Sequence, residues 1–278
     1  MKGSVYKLRF WGARGTVSTP APDKLRFGGH TICLSASLTD RDHLILDAGS
    51  GLRLLGNHLA ALRPGVSHRC HIFLSHYHFD HVEGLPFFQP LYVPGNVITF
   101  HGFEPPGMTL QGILEGFITP PYFPVRLAGA PAKVRYRPEH GSAVMFRDVR
   151  ISSLPLHHPD GSLSYRLEHA GRRIVFATDH EHGDARIDQA LIRFSAGADY
   201  LIYDATYIPA EYESPRRGWG HSTWYAAIQV ARAARVKKLV LFHHHPDHTD
   251  RDLRDILRVA RRELPSTDVA REGMELQF

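Results

Sequence analysis

The sequence predicts an α/β protein in which two β-sheets pack face to face with helices outside. Three observations carry this reading. A plan of strands followed by a helix occurs twice along the 278 residues. Short apolar or alternating runs are bounded by glycine, proline and aspartate. Histidine or aspartate stands directly after one apolar run after another, where strand-end loops place functional groups.

In the first half, residues 5–11 alternate and read as a strand. The N-terminal stretch 1–10 contains no apolar signal-peptide core. A glycine-rich turn, Gly12-Ala13-Arg14-Gly15-Thr16, follows. Gly28-Gly29 precedes a second strand at 31–38, and 43–47 is a third. Residues 52–62 carry helical spacing and stop at Pro64-Gly65. Residues 71–74 form a short buried strand. Residues 86–140 are rich in proline, glycine and aromatics, among them Phe87, Phe88, Tyr92, Phe117, Tyr122 and Phe123. The run 118–124 is too rich in proline for a regular element. The stretch reads as a lid-like or interface insert within one domain spanning 1–278.

In the second half, strands are expected at 143–146, 149–152, 163–168, 173–177, 200–203 and 238–242. Helices are expected at 187–194, at 223–234 with Ser222 as N-cap, and at 251–263. The arginines of the last helix alternate with Asp252, Asp255 and Glu263, which suits a charged helix face.

Composition narrows the class. Hydrophobic content of 43% and charged content of 22% are those of a globular chain. No apolar run reaches membrane-spanning length. Cys33 and Cys70, the two cysteines, are far apart and read as reduced thiols, which points to a cytoplasmic protein. A net charge of +5 favours anionic partners. The twenty histidines fall in groups beside strand ends, unlike a tag or a storage tail.

The densest group is Ser75-His76-Tyr77-His78-Phe79-Asp80-His81. Three imidazoles and a carboxylate leave one strand within seven residues. His76 and His78 fall on one side, and Asp80 and His81 turn toward a second point. Imidazole and carboxylate are the usual ligands of zinc and related divalent ions, so the spacing suggests two adjacent metal sites. Further ligand candidates follow later strands: His157 or His158, Asp179, Asp204, and His243 or His244, while His221 opens a helix.

These motifs resemble the metallo-β-lactamase fold superfamily, whose H-x-H-x-D-H signature is met by His76, His78, Asp80 and His81. The resemblance extends over nearly the whole chain and implies a four-layer αββα sandwich with a dinuclear site at one edge. It implies that His76, His78 and His158 hold one metal and Asp80, His81 and His243 the other, with Asp179 bridging. Zn2+ is the first choice of ion, and Mn2+ or Fe suits the same nitrogen and oxygen set. Residues 201–206, Leu-Ile-Tyr-Asp-Ala-Thr, are similar to the His-Glu-Ala-Thr element of tRNase Z, and Gly220-His221-Ser222-Thr223 to its His-Ser-Thr element. Trp11–Thr16 and 27–31 are similar to the phosphodiesterase branch that includes phosphoribosyl cyclic and cyclic-nucleotide phosphodiesterases.

The resemblance implies hydrolysis of a cyclic nucleotide or other small phosphodiester by hydroxide activated between two ions. Asp204 would orient His221, which protonates the leaving oxygen, and Asp80 joins them in the catalytic set. Arg14 is a candidate phosphate contact, and Phe87, Phe88, Tyr122 and Phe123 are candidate stacking surfaces. No basic arm of the tRNA-clamping kind is visible, so tRNA is not favoured as partner, and a homodimer is implied by the superfamily. Two rivals remain: a carbonyl hydrolase on the same scaffold, and a non-hydrolytic metal protein acting in sensing or cofactor biosynthesis.

Overall fold

The structure is a computed structural model and describes residues 5–62, 65–213 and 215–278. Residues 1–4 and the expected helix stop at Pro64 lie outside the described residues.

Seven strands form each of two sheets. In the first, β1 (Lys7–Gly12), β2 (Cys33–Ser37), β3 (Asp42–Leu46), β4 (Arg69–Phe73), β5 (Val97–Gly102) and β6 (Lys133–Pro138) lie side by side in chain order. In the second, the order runs back from β13 (Thr267–Val269) through β12 (Lys238–Phe242), β11 (Tyr200–Asp204), β10 (Arg172–Ala177), β9 (Ser162–His169) and β8 (Val149–Leu156) to β7 (Val144–Phe146). The last strand, β14 (Glu275–Gln277), returns to pair with β1.

Each half contains a parallel run. Strands β3 to β6 are parallel neighbours, as are β10 to β13. Parallel strands release their following loops at one edge, where open α/β sheets bind ligands. Asp47, His76, Asp179, Asp204 and His243 all stand at or just past the ends of such strands.

Three cores make four layers. Leu8, Phe10, Leu34, Phe73, Tyr165, Phe176 and Phe242 fill the space between the sheets. On the outer face of the first sheet, α1 (Gly51–Leu62) contributes Leu52, Leu55 and Leu59, and a four-residue turn of helix, α2 (Phe79–Val82), contributes Val82. The short helix α3 (Leu110–Phe117) adds Leu110 and Leu114 there. On the second sheet, Leu191 of α4 (Ala185–Phe194) packs with the core. After the single-turn α5 (Pro209–Tyr212), α6 (Trp224–Ala233) and α7 (Asp250–Glu263) add Ala227, Ile228 and Leu253. The expected α/β sandwich with outer helices is therefore the observed fold. Of the described helices, none is long and apolar enough to cross a membrane.

Three local readings differ. The stretch 86–140 is not a peripheral insert: it supplies β5 and β6, two full members of the first sheet, with α3 between them. Flanking prolines hid two strands that pair in parallel register. Residues 119–126 do lack regular structure. Thr223, not Ser222, caps α6, its hydroxyl accepting from the Ala226 amide at 3.1 Å. Finally, β13 and β14 were not anticipated, being three residues each.

Candidate functional site

Two residues after β4 the chain enters the histidine loop. Asp47, which directly follows β3, anchors it: the Ser75 amide donates to Oδ1 at 2.6 Å and the Ser75 hydroxyl to Oδ2 at 2.8 Å. The same Oδ2 accepts from His81 Nδ1 at 2.9 Å, so Nε2 of His81 faces inward. The first turn of α2 presents Asp80 and His81 together, and the Thr16 amide donates to Asp80 Oδ2 at 2.6 Å.

From the second sheet come the remaining groups. His158 donates from Nδ1 to the Gly220 carbonyl at 2.8 Å, which leaves Nε2 3.1 Å from His78 Nδ1. His157 turns elsewhere, its Nδ1 reaching the Glu181 carbonyl at 3.0 Å. His243 Nε2 lies 3.3 Å from Asp80 Oδ2 and 3.2 Å from Asp179 Oδ1. His244 points away, its Nε2 donating to the Ala270 carbonyl at 2.9 Å. Thr206 holds Nδ1 of His243 at 2.8 Å. The positions reached are thus His158 and His243.

Ligand atoms converge in overlapping groups, each within 4.8 Å: His76, His78 and His158; Asp80, His81 and His243; and His76, His81 and Asp179. Asp179 lies between, 3.8 Å from His76 Nε2 and 3.2 Å from His81 Nε2. Nε2 of His76, His81 and His243 is in each case buried without a hydrogen-bond partner. Leaving a buried polar group unpaired costs about 1–3 kcal/mol, so three at one point fit a divalent cation. The donors are nitrogen and oxygen only, since Cys33 and Cys70 are buried away from the site in the outer core of the first sheet. The residues present therefore fit a two-ion centre.

Electrostatics agree with that fit. Burial alone would lower the pKa of His81, but Asp179, Asp80 and Asp47 hold it well above its ordinary value. Burial and then Asp179 likewise oppose each other at His243, which is raised to about 10. Asp80 and Asp179, despite burial, are held well below the carboxylate range by His81 and His243. A carboxylate-rich pocket that draws protons onto imidazoles is also one that attracts cations, with proton release on binding.

The backbone is strained here. Asp47, Asp179 and His243 adopt φ of 57°, 52° and 58°, a left-handed conformation that costs non-glycine residues on the order of 1–3 kcal/mol each. Two glycines permit close approach: a Cβ on Gly15 would overlap the His243 ring, and one on Gly220 would overlap His158 Nδ1.

Beside this cluster stands an acid–imidazole pair. Asp204 Oδ2 accepts from His221 Nδ1 at 3.0 Å. Its Oδ1 accepts from the Thr206 hydroxyl at 2.8 Å and the Ser222 amide at 3.1 Å, so the carboxylate is held at both oxygens. The His221 ring stacks 4.7 Å from that of His243.

The other expected contacts fare differently. Arg14 is fully buried, with Nε donating to the Gly28 carbonyl at 2.9 Å and Nη1 to the His248 carbonyl at 2.6 Å. It ties loops together and does not face the site as a phosphate ligand. Phe88 is also fully buried, in the outer core with Leu55 and Leu91, so it offers no stacking face. Phe87 and Tyr122 are exposed, while Phe123 is half-buried and meets Phe87 edge-on at 5.7 Å. Of the two aromatics within the ligand loop, Tyr77 turns its hydroxyl to the Phe103 carbonyl, and Phe79 is exposed between His78 and Asp80. Sequence reading passed over Phe79, Thr206, Glu181 and Asp47, although Asp47 carried the same strand-end signal as Asp179.

Comparison with known proteins gives a consistent picture. The family described as the beta-lactamase superfamily domain matches residues 43–244. A ribonuclease Z of Brevibacillus brevis is 38% identical over 104 residues, 36% of this chain and 31% of that protein. One from Picrophilus torridus is 24% identical over 319 aligned positions, covering 98% of this chain and 96% of its own. The metallo-beta-lactamase fold protein YhfI from Bacillus subtilis superposes with a TM-score of 0.74 at 18% identity, covering 99% of both chains.

Proposed function

Because the chain belongs to the beta-lactamase superfamily, we propose that it is a metal-dependent phosphodiesterase with two divalent ions at the His/Asp cluster. His76, His78 and His158 would hold one ion and Asp80, His81 and His243 the other, with Asp179 shared. Bound there, the ions supply charge neutralisation for phosphoryl oxygens and lower the pKa of a coordinated water. Zn2+ is the proposed ion, and Mn2+ or Fe suits the same donors.

The remaining chemistry belongs to the chain's own groups. His221 has Nδ1 tied to Asp204, so Nε2 is the nitrogen left to hand a proton to the leaving oxygen. Asp204 cannot swing away, because Thr206 and Ser222 hold its other oxygen. The observation that carries the proposal is this pair, with the His221 ring 4.7 Å from that of His243, a ligand in the proposed set. A carbonyl hydrolase needs the ions but not this acid.

The substrate we propose is a cyclic nucleotide or other small phosphodiester. A second substrate, RNA, is favoured by the ribonuclease Z relatives. Two free buried thiols support the cytoplasmic reading. The test is metal analysis of the purified protein with parallel assays on bis(p-nitrophenyl) phosphate, nitrocefin and a thioester. We expect two ions per chain and turnover of the phosphodiester. Turnover confined to nitrocefin or the thioester would replace the proposal with the carbonyl reading, and metal without any turnover would replace it with a non-hydrolytic role.

A further inference from the structure

We propose that the free edge of the first sheet is a track for an RNA backbone, formed by Lys133, Arg135 and Arg137 of β6 and leading to the His/Asp cluster. The inference rests on the phosphodiesterase reading and selects RNA among its substrates.

Strand β6 is the last in its sheet. Its residues alternate: Lys133, Arg135 and Arg137 are exposed, while Val134 and Tyr136 are half-buried against the outer core. The three cations therefore share one face. Register identifies that face. Arg137 pairs with His101, which pairs with Phe73, and Phe73 belongs to the core between the sheets. The cations thus stand on the side of β6 that faces the second sheet's layer, exposed at the free edge of the first sheet. Alternate residues repeat at about 6.6 Å, so the stripe is roughly 13 Å long.

Several arginines elsewhere in the two sheets are matched with acids. Arg69 and Arg147 take Asp42, and Arg150, Arg166 and Arg173 take Glu168. Among the described residues, Lys133, Arg135 and Arg137 have no carboxylate partner. Guarding an edge strand against pairing takes a charge of either sign, and a single lysine serves. Three unmatched cations of one sign, on one face, instead make a complement for successive phosphates.

The stripe also points the right way. Strands β3 to β6 are parallel, so the Arg137 end of β6 lies at the edge where β4 releases His76. Arg137 is two strands across from Phe73, and His76 is three residues further on, which places them roughly 14 Å apart. A backbone bound along β6 would reach the cluster within a few nucleotides. Contacts of this kind carry no base recognition, so binding is insensitive to sequence.

The test compares the wild type with the triple variant K133Q/R135Q/R137Q. Binding of a fluorescent single-stranded RNA is followed by anisotropy against salt, in an H221A background to slow cleavage. Hydrolysis of bis(p-nitrophenyl) phosphate is measured without H221A. Three lost phosphate contacts at about 0.7 each should flatten the slope of log affinity against log salt by about 2, with RNA affinity down tenfold or more at low salt. Turnover of the small diester should stay within twofold. An unchanged salt slope would overturn the proposal, as would loss of phosphatidylserine-vesicle binding with RNA binding intact. Failure of the phosphodiesterase reading would show separately, as wild-type protein inert toward bis(p-nitrophenyl) phosphate, whatever the RNA slope.

Discussion

Asp47 Oδ2 lies 2.9 Å from Nδ1 of His81, and that bond determines which nitrogen of His81 faces the cluster. The carboxylate is fully buried and also holds Ser75 by two bonds, so it fixes the start of the histidine loop as well as its end. Partners of this kind orient a ligand and raise its basicity.

Asp47→Asn should therefore weaken metal binding although Asp47 touches no ion. The expected loss is about 10–100-fold in affinity, concentrated in one of two binding steps. Competition with a chromogenic chelator measures it. Two unaltered binding steps would show that His81 keeps its orientation without Asp47.

His221→Ala should lower kcat by about 10²–10⁴-fold, the range for losing a general acid, with metal content unchanged. Asp204→Asn should share most of that loss, since it removes the acceptor that fixes Nδ1. The decisive reading is metal stoichiometry beside kcat. If His221→Ala loses an ion, His221 is a ligand, in keeping with its place within 4.8 Å of Asp179, Asp204 and His243.

How much of this was visible in the chain depends on the range of the contacts. His76, His78, Asp80 and His81 sit within one loop, so spacing alone brought them together. Asp179, Asp204 and His243 follow apolar runs, and parallel strands deliver such positions to one edge. Arg14 was illegible because its partners, the carbonyls of Gly28, His245 and His248, reach across the whole chain. A buried guanidinium and a phosphate-binding one look alike in sequence. Strand β6 was hidden because its two apolar residues, Val134 and Tyr136, alternate with three cations inside a proline-rich stretch, the pattern of an edge strand with a charged flank.

Glu181 illustrates a role that only the fold exposes. Its buried carboxylate accepts from the Tyr212 hydroxyl at 2.8 Å and from the amides of Gly218 and Gly220 at 2.7 and 2.8 Å. Gly220 in turn receives His158 Nδ1 and precedes His221. Glu181→Gln cannot accept all three bonds, so it should loosen both His158 and His221. We expect lower metal affinity together with lower kcat. Tyr212→Phe, which spares the glycine amides, should leave both near wild type. Equal damage from the two variants would make Glu181 a general stability residue.

Acid should unfold the protein in two stages. His43 and His71 are lowered to about 4, by burial first and then by His68 and His101 respectively. The unfolded chain takes up protons at these sites below its ordinary histidine value of about 6.5 while the folded chain does not. Stability should therefore fall from about pH 6.5 toward 4, by up to about 1.4 kcal/mol per pH unit for each histidine. Asp42 acts lower. Burial alone would raise its pKa, but Arg69, Thr39 and Arg147 hold it well below the carboxylate range. Its contribution is complete above the unfolded value of about 3.9 and is lost as pH falls beneath it. Urea denaturation at several pH values measures both stages. His71→Gln, which keeps a hydrogen-bonding group beside His101, should flatten the upper stage alone, and Asp42→Asn should remove the lower one. An upper slope unchanged by His71→Gln would assign that stage to His43, lowered in the same way, instead of His71.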